Sequence, residues 1–153
     1  MIKIVVLLLR VIFLALPLTG IHFAEVYGME RETILIIDEA GFSRVCSAIL
    51  EAEGYRAETI LHEGPEKQAV CNEGVGLVIT SYPYGSRFFD DLCRFSSPVI
   101  VLTDHISKEL LSALEGFENS ICMIKPLDYR KFTSLVKEMM TGTYARQGGY
   151  SIV

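Results

Sequence analysis

Three continuous apolar runs constrain the fold more than any other feature: ETILIID at 32–38, VGLVIT at 75–80 and PVIVLT at 98–103. None alternates with polar residues. Each therefore reads as a strand buried on both faces, which in one domain means a parallel sheet with helices on both sides. The intervals carry the other half of the pattern. Phe42, Val45, Cys46, Ile49 and Leu50 recur at helical spacing, and Gly54 supplies the stop. A shorter strand is expected over Tyr55–Leu61, then a short helix opened by Gly64-Pro65 and closed by Asn72 and Gly74. Ser81–Ser86, SYPYGS, reads as a turn through Pro83 and Gly85. Phe88, Phe89, Leu92 and Phe95 form a helical stripe broken by Ser97-Pro98, and Leu110, Leu114 and Phe117 mark a further helix. Ser120–Ile124 is a fifth strand before Lys125-Pro126, and Phe132, Leu135, Val136 and Met139 give a last helix stopped at Gly142. This β–α alternation predicts a (βα)5 architecture, a doubly wound α/β fold on a five-stranded parallel sheet. The segment 143–153, TYARQGGYSIV, has no periodicity and is expected to be a flexible tail.

The 153 residues suit a single domain, and with half of them hydrophobic and 22% charged the chain is not disordered as a whole. Mean hydropathy is +0.36, raised by residues 1–28. Within them IVVLLLRVIFLALPL, residues 4–18, follows Lys3 and is interrupted by Arg10 and Pro17. The run falls short of the roughly 20 residues that cross a bilayer unless it continues to Phe23, and Arg10 would be costly there. As a signal peptide it has a poor cleavage site, with His22 or Leu18 at the −3 position. MERETILIID, from Met29, opens as soluble α/β domains open, with a short polar lead into a strand. The expectation is a cytoplasmic domain over 29–142 that starts at Met29. An inner-membrane anchor through residues 4–23 and a signal peptide are the alternatives. Net charge is −5, and without residues 1–28 there are 12 basic against 18 acidic groups with no basic run, which excludes sequence-independent nucleic-acid binding. Cys46, Cys71, Cys93 and Cys122 form no CxxC and have no accompanying His cluster, so reduced thiols are expected rather than zinc or disulfides.

In open α/β sheets chemistry collects beyond the carboxyl ends of the strands. The residues there are Asp38-Glu39, Ser81, Thr103 and Lys125-Pro126. With the ordered set IID-E, LVITS, PVIVLTD and MIKP, the chain from about Thr33 to Met140 resembles the receiver domain of two-component response regulators, a flavodoxin-like fold. In that family two acids after the first strand and an aspartate after the third hold Mg²⁺, and the third-strand aspartate takes a phosphoryl group from a histidine kinase. A Thr or Ser after the fourth strand and a Lys before Pro bind the phosphoryl oxygens. The resemblance matches Asp38 and Glu39 to the acid pair, Thr103 to the hydroxyl and Lys125 to the lysine. Ser81 stands at the phosphoacceptor position, and Cys122 where the family has an aromatic switch residue. The segment between Ser81 and Thr103 is short for a receiver, so its helix or leading loop is trimmed.

Two acids offer a divalent cation less charge and fewer oxygen ligands than three, so no cofactor is expected beyond weak Mg²⁺ binding at Asp38 and Glu39. A Ser hydroxyl without an adjacent base is a weak nucleophile. The sequence thus implies a degenerate, non-enzymatic receiver acting through protein contacts, with a histidine kinase or output protein as partner and a homodimer compatible. A membrane partner would require residues 1–28. The alternative from another class is an enzyme on the same fold with Ser81 as nucleophile and His62 or His105 as base, although SYPYG is not a G-x-S-x-G elbow. Asp38-Glu39 could also serve only as a helix cap, Cys122 as core filler, and Tyr82 and Tyr84 as a partner-binding knob or a plain turn.

Overall fold

A computed structural model describes residues 32–60, 74–94, 96–144 and 149–153. The expected helix near Gly64–Asn72, together with His62, Cys71 and the segment 1–28, lies outside them. The element order is β1 (Thr33–Ile37), α1 (Ala40–Ala52), β2 (Arg56–Ile60), β3 (Val75–Tyr82), a 3₁₀ turn (Ser86–Phe88) leading into the single-turn α2 (Phe89–Leu92), β4 (Val99–Thr103), α3 (Lys108–Leu114), β5 (Ser120–Ile124), α4 (Tyr129–Met140) and β6 (Tyr150–Ile152). The sheet is parallel throughout, in the order β2-β1-β3-β4-β5-β6. The chain moves outward from β1 to β2 and returns to pair β3 on the other side of β1. That reversal leaves a crevice at the carboxyl ends of β1 and β3.

The continuous apolar runs are explained by the two layers they separate. Ile34, Ile36, Leu77, Ile79, Ile100, Leu102, Ile121 and Met123 pack on one face against Cys46 and Leu50 of α1 and Phe132, Leu135, Val136 and Met139 of α4. The alternate residues Leu35, Ile37, Val78, Val99, Val101 and Cys122 meet Phe89 and Leu92 of α2 and Leu110, Leu114 and Phe117 on the other. With a side-chain period of two, both sets must be apolar. The α4 helix starts where Asp128 accepts from the backbone N–H of Arg130 at 2.9 Å and of Lys131 at 3.2 Å. The first helix ends at Gly54, whose φ of +88° is a conformation side chains disfavour.

Three expectations are corrected. The sheet has six strands, not five, because the end of the supposed flexible tail forms β6 and pairs with β5, Ser120 opposite Tyr150 and Cys122 opposite Ile152. Tyr150 and Val153 are each half-buried against opposite layers, and the Tyr144 hydroxyl donates to Ser151 Oγ at 3.1 Å. The strand β3 continues through Ser81 and Tyr82, which the sequence places in a turn. The helical stripe expected from Phe88 forms a 3₁₀ turn and one α-helical turn as far as Leu92, and its last member, Phe95, lies outside the described residues.

Candidate functional site

The site is built from the last residues of β1 and β3. Alternation along β1 carries Asp38 to the side of Ile34 and Ile36, and alternation along β3 carries Ser81 to the side of Leu77 and Ile79. Both face α1. Asp38 is 2% exposed and Ser81 is 3% exposed. The Ser81 hydroxyl donates to Asp38 Oδ2, and the backbone N–H of Glu39 donates to Asp38 Oδ1 at 2.8 Å. The Asp38 carbonyl accepts from Ser43 Oγ at 3.0 Å, which ties the strand end to the first turn of α1. Each carboxylate oxygen of this buried acid thus has a donor, as a buried charge requires.

Glu39 occupies the N-cap of α1, but its exposed side chain makes no capping hydrogen bond. Neither acid therefore acts as a side-chain cap. Lys125 is half-buried, and its Nζ lies 5.6 Å from the centroid of the Phe42 ring on α1, within cation–π range. On β2, the strand beside β1, Arg56 and Glu58 form an ion pair at 2.8 Å.

Thr103 is buried at the end of β4, opposite Tyr82 in register. Alternation puts it on the side of Val99 and Val101, and its hydroxyl donates to the carbonyl of His105 at 2.8 Å, fixing the turn toward α3. His105 itself is exposed. Cys122 is fully buried in the α2/α3 layer, where burial pushes its thiol up to about 11. Tyr82 lies 6.1 Å ring to ring from Phe89 and is half-buried, so it is no projecting knob.

Four contributors escaped the sequence reading. Cys46 of α1 lies near the acid, and its thiol is pushed up to about 12, first by burial and then by the negative charge of Asp38. Phe42 seats the lysine. Thr80 donates its hydroxyl to the Ile37 carbonyl at 3.0 Å and joins the two strand ends from the other face. Gly85 folds back over β3, its N–H donating to the Ser81 carbonyl at 2.6 Å, and a Cβ there would collide with Thr80 Oγ1. Phe42 and Cys46 were visible only as members of a helical stripe and Gly85 only as a turn residue, and Thr80 carried no signal.

Solved structures share this arrangement of strands and helices. A two-component response regulator from Clostridium difficile matches with a TM-score of 0.61 at 18% identity, over 74% of this chain and 98% of its own. The fold is that of a receiver domain. The non-phosphorylated HemR receiver domain from Leptospira biflexa matches at 0.59 and 18% identity, over 74% of this chain and 96% of its own. A CheY-like response regulator receiver domain protein from Methanospirillum hungatei reaches 25% identity at 0.56, over 72% and 94%. No family model matches the sequence, and no curated protein does.

The Mg²⁺ that the receiver resemblance implies does not fit the residues present. Asp38 Oδ2 is taken by a hydroxyl donor, and among the described residues no three His, Cys, Asp or Glu side chains group so as to hold a metal ion. A hard divalent cation takes several oxygen ligands, and Ser81 brings a hydrogen-bond donor to the place where one would be needed.

Proposed function

We propose that the protein is a signalling module that works through protein contacts, with the receiver fold retained and aspartyl phosphorylation lost. The carrying observation is that the β3 position matched to the phosphoacceptor holds Ser81, buried and hydrogen-bonded to Asp38. A serine has no carboxylate to form an acyl phosphate. Its ester would be stable and would not reset a switch on its own. The partner on this reading is a histidine kinase or an output protein of a two-component pathway, and the module carries no catalysis of its own. It is proposed to act in the cytoplasm. Among the described residues no helix is long and apolar enough to cross a membrane.

Incubation with acetyl phosphate and Mg²⁺ tests this reading. Intact mass should not change. A hydroxylamine-labile phosphoryl group mapped to Asp38, Glu39 or any other carboxylate would overturn it.

A further inference from the structure

Three side chains around the crevice have a partner within the chain. The Ser81 hydroxyl is bonded to Asp38, the Thr103 hydroxyl to the His105 carbonyl and the Lys125 ammonium is seated over Phe42. We propose that Ser81 is an internal ligand of Asp38, a hydroxyl latch that ties the end of β1 to the end of β3 and holds the crevice in one state whatever phosphoryl donor or divalent cation is present. This deepens the function proposed above and rests on it only for the meaning of a fixed state. The latch itself rests on the geometry.

A hydrogen bond to an ionised group is stronger than one between neutral groups, and burial leaves water little chance to replace it. The partners come from strands adjacent in the sheet but 43 residues apart in sequence, so the bond fixes a long-range relation and not a local turn. The two backbone ends are independently held, by Thr80 on Ile37 and by Gly85 on Ser81, so the hydroxyl is presented to the carboxylate with little freedom left to lose. Ser81 on this account is a positioning residue. Partners reading the surface at the strand ends meet the same arrangement at all times.

A double-mutant cycle tests the latch, using Ser81→Ala, Asp38→Asn and both together, with Ser81→Thr as the variant that keeps the hydroxyl. Urea unfolding should show that Ser81→Ala lowers the folding equilibrium constant by about tenfold to a hundredfold, the range for a lost hydrogen bond to a charged group. Ser81→Thr should recover most of that. The cost of Ser81→Ala should fall by about tenfold or more in the Asp38→Asn background. Additive effects, or an alanine variant as stable as the unmodified protein, would overturn the latch.

Should a variant not fold, the unmodified protein supplies its own readout. A latched Ser81 hydroxyl proton should be protected from exchange and visible by NMR close to Asp38, and a freely exchanging one overturns the proposal. The NMR spectrum should also be unmoved by Mg²⁺ and acetyl phosphate, and cation-dependent shifts of the Asp38 and Ser81 amides count against a fixed state. Additive energetics with no acyl phosphate would remove the latch and leave the proposed function standing. An acyl phosphate on a carboxylate outside the crevice, with a coupled cycle, would remove the proposed function and leave the latch standing, whereas one on Asp38 would overturn both.

Discussion

Replacing Ser81 by Asp puts a second carboxylate against a buried first one, and the size of the effect follows from the geometry. The Ser81 Oγ is within hydrogen-bonding distance of Asp38, and both residues are at most 3% exposed. Two like charges about 4 Å apart at an effective dielectric of about 20 repel by about 4 kcal/mol. The favourable Ser81–Asp38 bond is lost as well. In metal-free buffer the repulsion alone should therefore make Ser81→Asp melt about 12–20 °C below the unmodified protein, taking about 3–5 °C per kcal/mol for a domain of this size, and the lost bond adds to that. Three carboxylates, Asp38, Glu39 and the new one, are a far better donor set for a hard cation than two. Mg²⁺ at a hundredfold excess over its dissociation constant should return about 2.7 kcal/mol of the loss. The assay is a pair of thermal melts by circular dichroism, one in EDTA and one in Mg²⁺. Ser81→Asn serves as a control that adds similar bulk without the charge, and it should not respond to Mg²⁺. A folded Ser81→Asp variant with an unchanged melting temperature in EDTA, or with no gain from Mg²⁺, would refute the adjacency of Ser81 and Asp38 on which the argument depends.

Gly85→Ala should cost about 1–3 kcal/mol in urea unfolding, because the added methyl must displace Thr80 from its bond to Ile37; an unaffected midpoint would contradict the close packing of that loop. Phe132→Ala, at a fully buried position in the α1/α4 layer, should cost about 3–5 kcal/mol, and a loss below about 1 kcal/mol would mean that α4 does not dock as described. Asp128→Ala should cost about 1 kcal/mol through the lost α4 cap, while Asp128→Asn should recover most of it. The Cys46 thiol is raised from 9.0 to about 12 on folding, so its contribution to stability is fully present below pH 9 and is lost as pH climbs toward 12. Cys46→Ala should flatten that part of the stability profile, and an unchanged alkaline slope would show that the thiol is not the group responsible.

The central fold was legible in the sequence because strands buried on both faces leave an unmistakable trace. Ile34–Ile37 and Val99–Leu102 have no polar member, and nothing but a two-sided layer would require that. The edges were less legible for the opposite reason. The β2 strand, RAETI, covers an edge and is partly exposed, yet it falls within the strand expected over Tyr55–Leu61. The terminal strand β6 has only three residues, and its burial is divided between Tyr150 on one layer and Val153 on the other, too little in either to register as a period. The short helix α2 shows how apolar spacing misleads: Phe88, Phe89 and Leu92 do pack on one layer, but from a 3₁₀ turn and a single α-helical turn.

The site divides along the same physical line. Positions at strand ends could be read, because the chain's alternation of strand and helix says where each apolar run stops and which polar residue follows it. Their partners could not, because a partner depends on which face each side chain takes and on how neighbouring strands are staggered. Asp38 and Ser81 each lie one or two residues past an apolar run, and only the register pairing Ile37 with Thr80 brings the residues that follow side by side. Lys125 and Phe42 are separated by most of the domain, and nothing in either one's neighbours suggests a cation over a ring. The consequence for Ser81 is more than a missing carboxylate. Loss of charge alone predicts an idle residue at an abandoned position, tolerant of any small substitution. A hydroxyl donating to a buried acid predicts a position that accepts Thr but not Ala, and that distinction exists only once β1 and β3 are laid next to each other.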